Sequence, residues 1–187
     1  VKGTPGARLS VAISREDLSN ASDGEVIAVS EVRIHPDYDR TNANENDVAL
    51  LALARPSVAA PIRLSGAGDD DLEADGAPVR VTGWGDQIGL LGFASTNRLQ
   101  QVDLNVVGDD PCSEDLDPAS QVCAEGFLKA SCQGDSGGPL FAAKYGTWVQ
   151  VGVVSYGLGC AVPEFPGVYA EVNAGSIRAW IATNTGV

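Results

Sequence analysis

Along most of this chain apolar residues recur at every second position, in short runs cut off by glycine, proline, asparagine and aspartate. That period is the pleat of a half-buried β-strand, whose successive side chains point to opposite faces. Residues 8–14 set Leu9, Val11 and Ile13 on one face, and residues 79–84 alternate up to Gly85. Residues 99–107 line up Val102, Leu104 and Val106, and residues 148–156 line up Val149, Val151 and Val153. Residues 26–34 are rich in β-branched side chains and stop before Pro36, and residues 167–172 follow Pro166. Residues 48–53 form a continuous apolar run, which predicts a strand buried on both faces. Only near the end does the period change. Ile177, Trp180 and Ile181 fall at i, i+3 and i+4, predicting a helix that Asn173 can cap. Strands at this spacing, separated by turn residues, predict an all-β sandwich or barrel.

With 187 residues, 44% of them hydrophobic, the chain can bury the core of one large or two small domains. Residues 65–76 are rich in glycine and acid, with Asp69, Asp70 and Asp71 in a row. Such a run reads as a solvated loop and as a boundary between two units. No apolar run approaches the length of a membrane span, and a formal net charge of −13 repels phosphate. Neither a membrane nor a nucleic-acid partner is expected.

Cys112, Cys123, Cys132 and Cys160 include no C-x-x-C pair, and a single histidine cannot complete a zinc-finger pattern. The even count favours two disulfides, with three pairings open, and an oxidising, extracellular home. Pairing of nearest neighbours would close two modest loops, each worth about 3 kcal/mol in chain entropy.

Residues 131–140 read Ser-Cys-Gln-Gly-Asp-Ser-Gly-Gly-Pro-Leu. Gly134, Gly137 and Gly138 around Ser136 permit a tight turn that exposes the hydroxyl and aims the amides of Gly134 and Ser136 at one point. Two converging N–H groups are an oxyanion hole, and one such donor is worth about 3 kcal/mol of transition-state stabilisation. The string also matches the Gly-x-Ser-x-Gly of lipase-like hydrolases. That elbow needs a helix after the serine, which Gly137, Gly138 and Pro139 start poorly, and no histidine follows.

Four further strings occur in order with this one. They are Asn-Asp-Val-Ala-Leu-Leu (46–51), Val-Thr-Gly-Trp-Gly (81–85), Val-Ser-Tyr-Gly-x-Gly-Cys (154–160) and Pro-Gly-Val-Tyr (166–169). Together they resemble the chymotrypsin-like serine protease family over nearly the whole chain. The resemblance implies two antiparallel β-barrels and a C-terminal α-helix. Residues 1–65 would be the remainder of an incomplete first barrel, 66–172 the second barrel with nucleophile and specificity pocket, and 173–187 the helix. It makes Ser136 the nucleophile, Asp47 the carboxylate that orients a histidine, and Gly134 and Ser136 the oxyanion amides. Ser155, Tyr156 and Gly157 would pair with substrate backbone, and the disulfides would be Cys112–Cys123 and Cys132–Cys160. Ala130 would floor the pocket, with Gly157 and Gly167 as its open walls. An uncharged floor implies preference for a large hydrophobic residue before the scissile bond of a protein or peptide substrate.

The chain departs from the family in one respect that decides activity. A serine hydroxyl needs a base, which the family carries in an Ala-Ala-His-Cys segment. Here the sole histidine is His35, in Ile-His-Pro-Asp-Tyr, which resembles a surface segment of the family. Residues 1–4 resemble the text that follows Ala-Ala-His-Cys. The expectation is therefore an N-terminally incomplete copy, inactive alone and in need of the missing segment or a partner chain. A catalytically inactive homologue serving as a binding module is the alternative. Relatives also pair a new terminal amine with the aspartate before the nucleophile, here Asp135. Without it Asp135 is expected to be an uncompensated, partly buried charge and the turn malformed. No catalytic cofactor is expected. A structural calcium ion is the one metal that the resemblance brings, through Glu16, Asp17, Asp23 and Glu25.

Overall fold

A computed structural model describes residues 9–42, 44–87, 94, 96–108, 112, 116–157, 159–160, 162 and 165–186. Two sheets carry the molecule. The first is three-stranded, in the order β1 (Ser10–Ile13), β2 (Glu25–Ile34), β3 (Ala49–Leu53), antiparallel throughout. The second contains β4 (Arg63–Leu64), β5 (Pro78–Gly83), β6 (Gln100–Val107), β7 (Gln121–Glu125), β8 (Pro139–Lys144), β9 (Thr147–Tyr156) and β10 (Gly167–Glu171). Its order is β10-β7-β6-β5-β8-β9, and β9 pairs again with β10, so six strands close into a barrel. Closure leaves these strands no edges. Strand β4 is appended outside the closed ring, parallel to β9.

Alternation fills the barrel as the sequence predicts. Val79, Val81, Leu104, Val106, Val149 and Val151 are each at most 3% exposed. Each such side chain contributes about 1.5–3 kcal/mol by leaving water. The period slips after Val151, where a register shift between Leu140 and Phe141 lets Val154 face inward. Val153 instead packs with the helix α1 (Gly175–Thr185).

Three sequence expectations need correction. Strand β3 is only half-buried, not covered on both faces; Leu50 packs against the cluster that includes Ile177 and Ile181. Asn173 does not cap α1; its side chain donates to Asp70 and Glu73, and Ala174 stands at the cap without a side-chain bond. Strands β4, β7 and β8 were not anticipated.

Helix α1 ties the two sheets together. Ile177 and Ile181 pack with Val172, and Val48, Leu50 and Trp180 close the same cluster. The Arg33 guanidinium of β2 donates to the Asn184 carbonyl of α1 at 3.2 Å. On the other side of the molecule, Leu99 N–H donates to the Glu16 carbonyl at 2.8 Å, and the Trp84 indole donates to the same oxygen at 3.3 Å.

Candidate active site

Ser136 lies exposed on the turn that leads into β8. The turn is closed by Asp135 N–H to the Cys132 carbonyl (3.0 Å) and Gly138 N–H to the Asp135 carbonyl (2.8 Å). Gly134 holds φ +102° and Gly137 φ +81°, the left-handed region that side-chain-bearing residues avoid. A strand, not a helix, follows the serine, which removes the lipase-type elbow. Ser136 shares a cavity of about 720 Å³ with Gly134, Asp135, Gly137 and Gly138 on one side and with Ala12, Ser14, Arg15 and Glu16 on the other. The cavity therefore runs between the barrel and β1. Among the described residues, the amides of Gly134 and Ser136 donate to no protein group, while their neighbours Asp135, Gly137 and Gly138 all do.

The Asp135 carboxylate has hydrogen-bond partners, although no cation pairs with it among the described residues. Gly85 N–H donates to Oδ1 at 2.8 Å and Cys132 N–H to Oδ2 at 2.9 Å. Two backbone amides thus supply the hydrogen bonds that an ionised carboxylate needs. Gly83 and Gly85 make room for it: a Cβ on Gly83 would stand 2.0 Å from Oδ1, and one on Gly85 2.5 Å from Cγ. Sequence reasoning took Val-Thr-Gly-Trp-Gly only as a likeness. Two glycines at a strand end signal close approach by another chain segment.

Asp47 accepts a hydrogen bond on Oδ2 from the Ser155 hydroxyl at 2.7 Å. One residue earlier, Val154 is bonded to the serine turn in both directions: Gly137 N–H to its carbonyl, and its own N–H to the Gly138 carbonyl, each 2.9 Å. The end of β9 therefore links Asp47 to the Ser136 turn through two neighbouring residues. Asn46, which the sequence reading passed over, fixes the loop that bears Asp47. Buried at 8% exposure with φ +51°, it donates to the Asp37 carbonyl and accepts from the Ser176 hydroxyl at 2.7 Å.

His35 belongs to the packing between β2 and α1. It is 3% exposed, its Nδ1 accepts from Asp37 N–H at 3.2 Å, and its Nε2 faces the Ser176 carbonyl at 3.4 Å. Its ring lies 5.0 Å from that of Trp180. Both ring nitrogens are occupied away from Ser136.

Ala130 and Gly167 line one cavity of about 240 Å³, together with the apolar Phe127, Leu128, Val162 and Phe165 and the charged Glu125 and Lys129. Gly157 faces Gly167, whose Cα would lie 3.8 Å from a Cβ at 157. Tyr156 points elsewhere, toward Gln121 at 3.4 Å. Beneath Ala130, the hydroxyls of Ser131 and Tyr169 are 3.1 Å apart. Burial pushes the Tyr169 phenol up to about 12, and the Asp135 charge acts in the same direction. Disulfides Cys112–Cys123 and Cys132–Cys160 both form, and the second anchors the start of the serine turn.

The acidic loop does not gather into a cation site. Asp23 accepts from Glu16 N–H, Glu25 is held by Arg55, Ser57 and Val58, and Asp17 by Ser19. Among the described residues no three carboxylate, histidine or cysteine side chains converge to hold a metal.

The trypsin family model matches residues 1–181. Trypsin from Sarcophaga bullata is 38% identical over 168 residues, covering 84% of this chain and 62% of its own. Trypsin delta of Drosophila melanogaster is 35% identical over 177 residues, covering 88% and 64%. Mouse vitamin K-dependent protein C is 34% identical over 200 residues, covering all of this chain and 42% of its own. The chain spans about three-fifths of the length of the two trypsins it matches. An exposed serine on a glycine turn, joined through β9 to a carboxylate and set in a six-stranded barrel, thus lies in a chain that belongs to the trypsin family.

Proposed function

We propose that this chain carries the nucleophile and the orienting carboxylate of a serine endopeptidase that acts outside the cell. One observation supports this above the rest. Ser136 is exposed at a cavity beside two amides that have no partner among the described residues, and the same turn is bonded to the strand whose Ser155 holds Asp47. In this reading Ser136 Oγ attacks the peptide carbonyl, and the Gly134 and Ser136 amides receive the oxyanion. Asp47 orients the imidazole that takes the serine proton. That imidazole is not His35, so it comes from polypeptide outside these residues. Without it the rate falls by several orders of magnitude.

The substrate is a protein or peptide with a large hydrophobic residue before the cut. Ala130 offers no charge for a basic side chain, and most of the residues lining the cavity it shares with Gly167 are apolar, with Glu125 and Lys129 as the two charged ones. Two disulfides suit an extracellular chain, and no described helix is long and apolar enough to cross a membrane.

The test is labelling by a fluorophosphonate with imidazole added as a surrogate base. Labelling at Ser136 is expected to be slow alone and to rise with imidazole, and Ser136→Ala should label in neither condition. Equal labelling of Ser136→Ala would overturn the assignment. A wild-type serine that stays inert at every imidazole concentration would turn the reading to a binding module.

A further inference from the structure

The loop from β1 to β2 carries Asn20-Ala21-Ser22, and no other asparagine of the 187 residues is followed two places on by serine or threonine. Asn-x-Ser, with any residue but proline between, is the acceptor string for N-linked sugar in chains that enter the secretory pathway. The string alone recurs by chance, so the surroundings decide. Asn20, Ala21 and Ser22 are all exposed. The Ser22 N–H donates to Asn20 Oδ1 at 3.1 Å, which engages the oxygen end of the carboxamide in an Asx turn. Among the described residues, Asn20 Nδ2 and the Ser22 hydroxyl have no partner. The loop does not lean on either group. Asn20 N–H donates to the Asp17 carbonyl and Asp23 N–H to the Asn20 carbonyl, each at 3.1 Å. The Arg15 guanidinium donates to the Asp23 carbonyl at 2.8 Å and to the Ala21 carbonyl at 3.2 Å, and Asp23 Oδ2 accepts from Glu16 N–H at 2.9 Å.

We infer that Asn20 is the acceptor of an N-linked oligosaccharide. The inference rests on the extracellular part of the reading above, since transfer takes place on the lumenal side of the secretory membrane. The donor is a lipid-pyrophosphate-linked oligosaccharide. Asn20 Nδ2 forms a bond to the anomeric carbon of the first sugar, the bond from that carbon to the pyrophosphate oxygen breaks, and Nδ2 gives up one proton. Lipid pyrophosphate leaves, and nothing is oxidised or reduced. The folded chain can carry the product, because a bulky hydrated sugar on this exposed turn displaces no packed side chain. Arg15 and Glu16, which hold the loop, line the cavity of Ser136, whereas Asn20 does not. The sugar therefore stands on the loop that borders the cavity and outside the cavity itself.

The test expresses the full 187-residue chain behind a cleavable signal peptide in cultured eukaryotic cells, and reads cell extract and medium by denaturing electrophoresis. The expected result is one step of lower mobility, abolished by peptide-N-glycosidase, with peptide mass spectrometry finding aspartate at position 20 after the digestion. Asn20→Gln and Ser22→Ala should each lose the step, and Ser22→Thr should keep it. Transfer acts on the chain as it enters the lumen, before it folds, so a variant that folds poorly still reports in the cell extract. Thiol alkylation of the same samples reads the disulfides. A wild-type chain with all four cysteines paired and no sugar overturns the Asn20 site and leaves the extracellular reading standing. A sugar kept by Asn20→Gln overturns the site as well. A glycosylated chain whose four cysteines stay reduced keeps the site and overturns the extracellular reading, and a chain with neither sugar nor disulfides overturns both.

Discussion

A single methyl group at Gly83 would collide with the Asp135 carboxylate, 2.0 Å from Oδ1. The atoms around that carboxylate have little freedom, since Gly85 and Cys132 amides hold both oxygens. Gly83→Ala should therefore cost about 1–3 kcal/mol of stability, the range for overpacking a filled site. The cause is specific to the pair, so adding Asp135→Ala should remove most of the Gly83→Ala penalty. Urea denaturation of the two single variants and the double variant measures the coupling; strictly additive effects would contradict the contact. This scale also shows what could be read in advance. Ser136 and Asp47 sit in short strings whose residue types announce their chemistry. Asn46 and Gly83 do not, because their meaning lies in partners far along the chain: Ser176 for the first, Asp135 for the second.

Elements with strict alternation were legible and elements without it were not. Strands β5 and β6 show the period openly. Strand β7 does not, since four consecutive residues, Gln121 to Ala124, are buried: Val122 and Ala124 face the barrel core, and Cys123 packs on the other face with Cys112 and Val168. The segment after β4 is the least legible, because its acids read as solvated and are in part buried. Asp69 is 5% exposed and paired with Arg63 and Lys144. The Arg63 guanidinium holds its carboxyl well below the ordinary range. Burial raises the Glu73 carboxyl instead, and the Asp70 charge adds to that, while hydrogen bonding with Ser65, Glu171 and Asn173 opposes it. Asp75 and Glu171 line the same acidic cavity. The two acids have opposite linkage. Asp69, with a lowered folded value, contributes stability above its unfolded value near about 4, and that is lost as the pH falls. Glu73, with a raised folded value, costs stability as the pH rises above its unfolded value of about 4.3. Thermal unfolding from pH 3 to 8 should show Asp69→Asn weakening the protein at neutral pH and flattening the acid limb. Glu73→Gln should raise the midpoint by a few degrees at pH 8 and leave it unchanged at pH 4. A Glu73→Gln midpoint lowered at pH 8 would reverse the sign argued here.

Across the whole molecule the two sheets are unequal in how they bury themselves. The barrel closes on itself, and its core joins residues from β5 through β10 in one cluster. Among the described residues, the open sheet contributes only Ile27 and Val29 to the buried apolar set, and its outer strands each pair on one side. Its attachment depends on α1 and on the Glu16 carbonyl, which takes Leu99 N–H and the Trp84 indole. Local opening follows buried contact, so the open sheet should open at a lower free energy than the barrel. Native-state hydrogen exchange under rising denaturant would show this. Amides of β1 and β2 should exchange through a subglobal opening, while those of β5, β6 and β9 exchange only through complete unfolding. Removing the helix anchor sharpens the comparison. Trp180→Ala takes away the ring that stands against His35 and a member of the cluster that Val48 and Leu50 share with α1, so it should speed exchange in β2 and β3 and leave the barrel amides unchanged. If β1 to β3 and the barrel instead lose protection together in the wild-type chain, the two sheets form one cooperative unit and the open sheet is not the weaker half.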